Sequence, residues 1–473
     1  MGEGSEVVAC YATSGKIGLP SAGCMLEAMA GSYIQLAAAV RRNDIPGVER
    51  ELARGTSINI APPRVPDAAT ALGVAAASSP CGVEMLAFLL DAGASLNEGD
   101  SPALFHAAKA AHLGKVRFLL DREANPEFTA RHDYTALHSA TLTWGADAGA
   151  IVRLLWERGA ALNAISSYGE SPLGNALSMG NVETARWILA HGRIPKKITW
   201  PSLFSAILNG DGRGIRAHIS DIRLRAFTRG EWSAPALAAM GNDPGVLDLL
   251  AELGVDFTQT LKSGLSPLHY AASANAVDSI RWLAQHGLDP NVRGSFGVSP
   301  IFEAVQNGSV EATRALLELG AESDALNSIS ETALHQAWNP AVAALLLDAG
   351  ADIDRVGGQG YSLLMTAAEE GNEPLVKFLL ERGASVAATS TGATALHYAM
   401  LSDEDSVIDL LLDAGADVNA TDVDGQTPLF YARSLQASRL LIRRGANLHA
   451  VAEGVSLRSS LLHRDPSFAS LFI

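Results

Sequence analysis

Twelve histidines are the first residues to weigh, since imidazole is both a metal ligand and a general base near neutral pH. Five of them, His106, His138, His269, His335 and His397, stand at the fourth position of a recurring start motif. The others, such as His112, His191, His218 and His463, have no carboxylate or Cys at ligand spacing. Neither group makes a metal site. Asp422-Val423-Asp424-Gly425 has the opening of a calcium loop, but Ala432 and Arg433 fall where the closing Glu must stand. It reads instead as a turn, Asp-Gly being suited to positive φ. Ser14-Gly15-Lys16 has the ending of a phosphate-binding loop, yet Cys10 replaces its first Gly and Ile17 its Ser or Thr. Neither Gly-x-Ser-x-Gly nor His-Glu-x-x-His occurs. The sequence therefore names no catalytic, cofactor-binding or metal-binding residue, and no enzyme is expected. A reaction site in the most divergent stretch would have only His218, Asp211 and Asp221 to draw on.

Composition narrows the class. The chain has 473 residues, 48% of them hydrophobic but only 6% aromatic, so Ala and Leu must fill the core. That suits thin helical layers better than one bulky centre. A formal charge of −16 argues against a nucleic-acid backbone as partner. Cys10, Cys24 and Cys81 are odd in number and lack a framework spacing. They fit a reducing compartment, and a cytoplasmic location is expected. No run approaches the eighteen apolar residues that span a bilayer, so no membrane partner is expected. Residues 1–30 read as a flexible leader; translation from Met25 or Met29 fits as well as from Met1. Ser21-Ala22-Gly23-Cys24 has a faint likeness to a lipoprotein cleavage site, but Pro20 interrupts the apolar run before it.

The elements that position these residues come from one repeated unit. Its most complete copy, 394–426, opens on Thr394-Ala395-Leu396-His397 and runs through two short apolar-periodic helices to Gly415-Ala416. An Asp424-Gly425 turn then leads to Thr427-Pro428-Leu429 of the next copy. Glycines ending the later second helices stand at 254, 287, 320, 350, 383, 415 and 445, with steps of 33, 33, 30, 33, 32 and 30. A period in this range marks a stacked repeat protein. Thr or Ser caps the first helix, and Pro is tolerated in its first turn. Ala-Ala pairs such as Ala107-Ala108, Ala271-Ala272 and Ala367-Ala368 let helices approach closely, while Leu119-Leu120 and Leu379-Leu380 face the neighbouring copy. Gly ends the second helix in the left-handed conformation.

The pattern resembles the ankyrin repeat family, from about Gly31 to Val455, with about thirteen helix pairs including caps. The resemblance implies an all-α, elongated, curved solenoid of helix-turn-helix repeats with short hairpin-like interrepeat loops. At about 10 Å per layer it would be roughly 120 Å long. It also implies that the motif His hydrogen-bonds within its loop and to the adjacent repeat. The expected organisation is a leader at 1–30, an N-terminal cap at 31–64, repeats at 65–192, a divergent basic segment at 193–232, repeats at 233–457 and a C-terminal cap at 458–473. Three departures stand out. The loop between Ala140 and Ile151 carries extra residues, including Trp144. The copies at Thr332 and Thr427 are about three residues short. Residues 192–232 keep a weak pair, Ser202–Ala206 and Ile215–Ile219.

Such stacks bind other proteins on the concave face, so the resemblance implies a non-catalytic, monomeric scaffold for a partner protein. In the family, the residue before the Thr/Ser start lies on that face. Here that position yields Tyr134, Glu170, Trp200, Trp232, Leu265, Val298, Glu331, Tyr361, Ala393 and Gln426. Aromatic and aliphatic members in line are interface candidates; alternatively Trp200 and Trp232 are shifted in register and fill the core. Eight cations between Arg193 and Arg229, including Arg223, Arg225 and Arg229, face only Asp211 and Asp221. From Asp243 to Asp424 twenty-seven acidic residues stand against seven basic, with Glu369, Glu370, Asp424 and Asp403-Glu404-Asp405 prominent. Trp200, Trp232 and the arginines make the expected hot spot, with the acidic arm as a second contact. The charge asymmetry also suits an inhibitor or immunity protein that neutralises a basic toxin or enzyme.

Overall fold

A computed structural model describes residues 33, 35–59, 69–97, 102–143, 147–192, 200–220, 226–227, 231–261, 263–388, 392–402, 404–464 and 466–472. The leader 1–30, the Pro-rich piece 61–66, Trp144 and Asp403 lie outside them. The chain forms two compact units, Met1–Trp200 with Ala226–Gly230, and Pro201–Arg225 with Glu231–Ile473. Within each, helix pairs follow one another, first helices packing on first helices and second on second. The first unit runs from a helix ending at Arg41 with Ile45–Ala53 to the pair Pro172–Ser178 and Val182–His191. The second runs from Ser202–Leu208 with Gly212–His218 to Leu435–Arg443. A small hairpin, Val451–Ala452 with Val455–Ser456, and the helix Leu457–Arg464 follow.

Local chemistry explains many of the helix starts. Thr70, Thr135, Ser171, Ser233 and Ser362 accept, through their hydroxyls, the backbone N–H three residues on. Such a cap is worth about 1 kcal/mol. Asp44, Asn181, Asn339 and Asn372 cap second helices in the same way. Ala107, Ala108, Ala271, Ala272, Leu119 and Leu379 are buried, as close helix approach demands. The copies at Thr332 and Thr427 lose length in their first helix. There, single 3-10 turns, Ala333–Gln336 and Pro428–Tyr431, replace the seven-residue helices found at Pro267–Ser273 and Pro300–Gln306.

The motif histidines tie one layer to the next. His138, His269, His335 and His397 each accept the N–H of the capping Thr or Ser at Nδ1 over 3.0–3.2 Å. The proton therefore sits on Nε2, which donates to the Glu170, Val298 and Gln426 carbonyls from His138, His269 and His397. A neutral ring is thus satisfied at both nitrogens. His106 departs from this frame. Pro102 is its helix N-cap, so Phe105 takes the third helical position and His106 the fourth. The ring is buried but cannot close the capping box.

One buried cation does comparable work. Lys115, 7% exposed, donates to the carbonyls of Ala75 at 2.8 Å and Ser78 at 2.5 Å, closing the end of helix Ala71–Ala77. Replacing it by Met leaves those carbonyls without their donor. Lys115→Met should cost about 1–3 kcal/mol, read as a lower denaturation midpoint in urea.

Burial lowers the pKa of His138, His335 and His397 and brings His269 to about 4. Between about pH 6.5 and 4 the unfolded chain binds protons that the folded chain refuses, so stability falls as pH drops through this window. His269 alone accounts for about 3 kcal/mol at the acid end. A thermal midpoint independent of pH between 7 and 4 would contradict this assignment.

Candidate functional site

Between successive helix pairs the chain turns through a tight loop. The N–H of Ala130, Ser166, Leu261, Gly294, Asn327, Gly357 and Asp422 each donates to the carbonyl four residues on, at Tyr134, Glu170, Leu265, Val298, Glu331, Tyr361 and Gln426. These acceptors are the residues that precede the capping Thr or Ser. Three of the same carbonyls also receive the preceding layer's imidazole. The backbone at this position is therefore fixed from two sides. Adjacent loop tips are joined as well: Ser167 N–H donates to the His132 carbonyl in the first unit. In the second unit Ser295 donates to Ser263, and Ser328 to Phe296.

This geometry sorts the residues expected at the site. Tyr134, Trp200, Leu265, Val298 and Tyr361 are half-buried. Tyr134 donates its hydroxyl to the Glu170 carboxylate, and Tyr361 lies 4.9 Å from Tyr398, ring to ring. Glu369, Glu370 and Asp424 are exposed. Trp232 is corrected: it is 3% exposed, its ring 5.5 Å from Tyr270 and edge-on to it. It precedes a helix whose buried side chains are mostly Ala, which leave volume for an indole. The core-filling alternative therefore holds for Trp232, and the pairing with Trp200 as an exposed hot spot does not form. Arg223, Arg225 and Arg229, with Arg193, Lys196 and Lys197, lie outside the described residues. Of the remaining basic residues, Arg213 and Arg216 are exposed on the second helix Gly212–His218, and Arg216 reaches Glu252 at 3.5 Å.

The acidic arm keeps its excess. Arg281, Arg293, Arg314 and Arg382 are each taken by a carboxylate, at 3.5, 3.6, 3.5 and 2.8 Å. Most of its twenty-seven acidic residues thus have no basic counterpart within the arm. Among the described residues no group of three or more His, Cys, Asp or Glu is placed to hold a metal ion.

The loop tips hold residues that the sequence reading passed over. Phe296 is 80% exposed and sits at φ 59°, a left-handed conformation that a bulky residue adopts at a cost. Leu326 and Ile329 are exposed at the next tip, Tyr168 at a tip of the first unit, and Val423 beside Asp424. For Phe296 and Tyr168 the signal was present in the sequence, a large side chain directly before the tip Gly, Gly297 and Gly169. It was missed because the position examined lies two residues further on.

Comparison with known proteins decides the family. The description "Ankyrin repeats (3 copies)" matches residues 104–199, 339–422 and 364–452, and "Ankyrin repeats (many copies)" matches 237–284 and 268–317. The chain belongs to the ankyrin repeat family. The B-cell lymphoma 3 protein homolog of Mus musculus is 32% identical over 141 residues, covering 27% of this chain and 32% of that protein. Diacylglycerol kinase iota of Homo sapiens is 45% identical over 76 residues, 15% of this chain and 7% of that protein. The chain thus spans about a third or less of these relatives. Among solved structures, the human ASB11 ankyrin repeat domain is 27% identical at a TM-score of 0.42, covering 46% of this chain and 99% of that one. An ankyrin repeat domain from Acinetobacter baumannii is 28% identical at a TM-score of 0.35, covering 38% of this chain and 98% of that one.

Ankyrin stacks are held by layer contacts, so a tip residue is free to be chosen for something other than stability. Phe296 shows that choice, since Asn or Gly fits its backbone better. Phe296→Asn should raise stability by about 1 kcal/mol, measured as a higher urea midpoint. An unchanged or lower midpoint would mean the left-handed backbone is not a burden there.

Proposed function

We propose that this ankyrin chain is a non-catalytic scaffold that binds a partner protein. The tips of the second unit supply the anchoring contacts. The observation that carries the reading is the pair of exposed apolar tips at Phe296 and Ile329, held next to one another by the Ser328–Phe296 backbone bond. Large apolar side chains on a rigid support make good anchors because little conformational entropy is lost on binding. Leu265, Val298 and Tyr361, half-buried behind the tips, extend the apolar contact inward. Exposed Glu369, Glu370 and Asp424 favour a partner with basic groups facing them. The buried Cys81 thiol, not engaged in a disulfide, suits a reducing compartment, and we place the protein in the cytoplasm.

The unneutralised acidic arm favours a second reading, an inhibitor that covers a basic toxin or enzyme. The two separate by salt. An apolar anchor with a few flanking acids loses only a modest part of its affinity between low and high ionic strength, whereas charge neutralisation weakens steeply. Phe296→Ala with Ile329→Ala should weaken capture of the endogenous partner by about 100-fold, with the fold intact by circular dichroism. Retention of full binding by that double variant would remove the tips from the interface.

A further inference from the structure

Four residues after each capping Thr or Ser, the first helices and turns of the second unit carry Tyr270, Glu303, Gln336, Thr366, Tyr398 and Tyr431. All six are half-buried. Stacking therefore accepts a phenol ring, an amide or a hydroxyl at this position, and it asks for no charge. Glu303 is the acid of this column. Its carboxylate makes no hydrogen bond and no ion pair among the described residues. Burial pushes its pKa above the ordinary glutamate value, because the charged form has lost water and gained nothing in exchange.

Asp422 shows how this stack otherwise treats an acid that loses water. It is buried, and it accepts the N–H of Asp424 and Gln426 at 2.9 and 2.8 Å and the Tyr431 hydroxyl at 2.8 Å. Glu303 has no such compensation. Its layer departs from the frame at the neighbouring position too: Phe302 stands where other layers place His269 or His335, and the buried Ser299 hydroxyl has no partner among the described residues. An unpaired, half-buried carboxylate costs stability that a Gln of the same shape would not. In the layer before, Tyr270 holds the equivalent position on a helix that packs against Pro300–Gln306, its ring edge-on to Trp232 at 5.5 Å. A fixed aromatic ring and a free carboxylate in adjacent layers both attract a cation.

We propose that Glu303 receives one basic side chain of the partner protein, an arginine or a lysine, on the face where the first helices line up. The incoming cation is the counter-charge that the carboxylate lacks in the free chain. A half-buried pair is screened less by salt than one at an exposed acid such as Glu369, so it discriminates more strongly between partners. A neutral or acidic side chain at that point leaves the carboxylate desolvated and unpaired. The inference rests on the reading of the chain as protein-binding. It names the residue of the acidic arm that selects the partner, whereas the Phe296 tips anchor it.

The test uses the full chain and a random peptide phage library, depleted on the Glu303→Gln chain and then selected on the unmodified one. Surviving peptides should share a basic residue. A fluorescein-labelled survivor, followed by fluorescence anisotropy, should lose at least about tenfold in affinity when Gln replaces that residue. Combining this peptide change with Glu303→Gln should add little further loss, as for two groups in one contact. Glu381→Gln removes the same charge from an exposed second-helix position of the same arm and should leave binding unchanged. The free Glu303→Gln chain should keep its circular dichroism and show an unchanged or higher urea midpoint. No survivor after depletion, survivors without a basic residue, full additivity of the two losses, or a lower urea midpoint would overturn the proposal. Tighter binding by Lys262→Gln, a cation of the loop before Tyr270, would make Lys262 the acid's own partner and overturn it as well. Loss of partner capture in the Phe296→Ala, Ile329→Ala double variant with none of these effects at Glu303 separates failure here from failure of the scaffold reading.

Discussion

An imidazole bridges one layer to the next in this protein, and most of what else is seen hangs on that bridge. Nδ1 accepts the N–H of the capping residue, and Nε2 donates to the carbonyl at the end of the next loop, as from His269 to Val298. One neutral ring thus sets a helix start and a loop position in two different repeats. A single helix pair cannot bury its own apolar face, so the layers must stack, and at His138, His269 and His397 the bridge fixes the next layer's loop. Because the ring works only when neutral, the same device makes the stack sensitive to acid.

Rigid loops follow from that arrangement, and with them the freedom to vary their tips. Each loop closes on itself through an N–H to carbonyl bond, and neighbouring tips are joined along the backbone, as from Ser328 to Phe296. The side chain at a tip contributes little to stacking. Phe296 is therefore open to selection for contact rather than for stability, even in a left-handed conformation that suits Asn or Gly. Lys115 is the opposite case. It is a charged residue drawn into the core, its ammonium held by the carbonyls of Ala75, Ala76 and Ser78.

Much of the architecture was legible from periodicity, and the misreadings have identifiable causes. The second helix that the Gly287 stop implies is found at Val277–Gln285, because a Gly stop and apolar spacing act locally. His106 counts among the motif histidines by spacing alone, but Pro102 shifts the helix frame by one residue. Trp232 stood in line with exposed positions, yet it fills space beside an Ala-rich helix. For the site, the column ending in Tyr134, Leu265 and Val298 was found correctly as a regular position. Its regularity comes from backbone acceptors, which leave the side chains half-buried while the tips two residues earlier stand in solvent.

What the sequence determined by itself was the repeat, its caps and stops, the all-α class and the sign of the charge on each stretch. All of these act within a few residues or follow from composition. Tertiary structure alone decided which large side chains are covered and which acids are already engaged. Those depend on what the neighbouring layer places opposite each residue. That neighbour is some thirty residues away in the chain, beyond the reach of any local pattern.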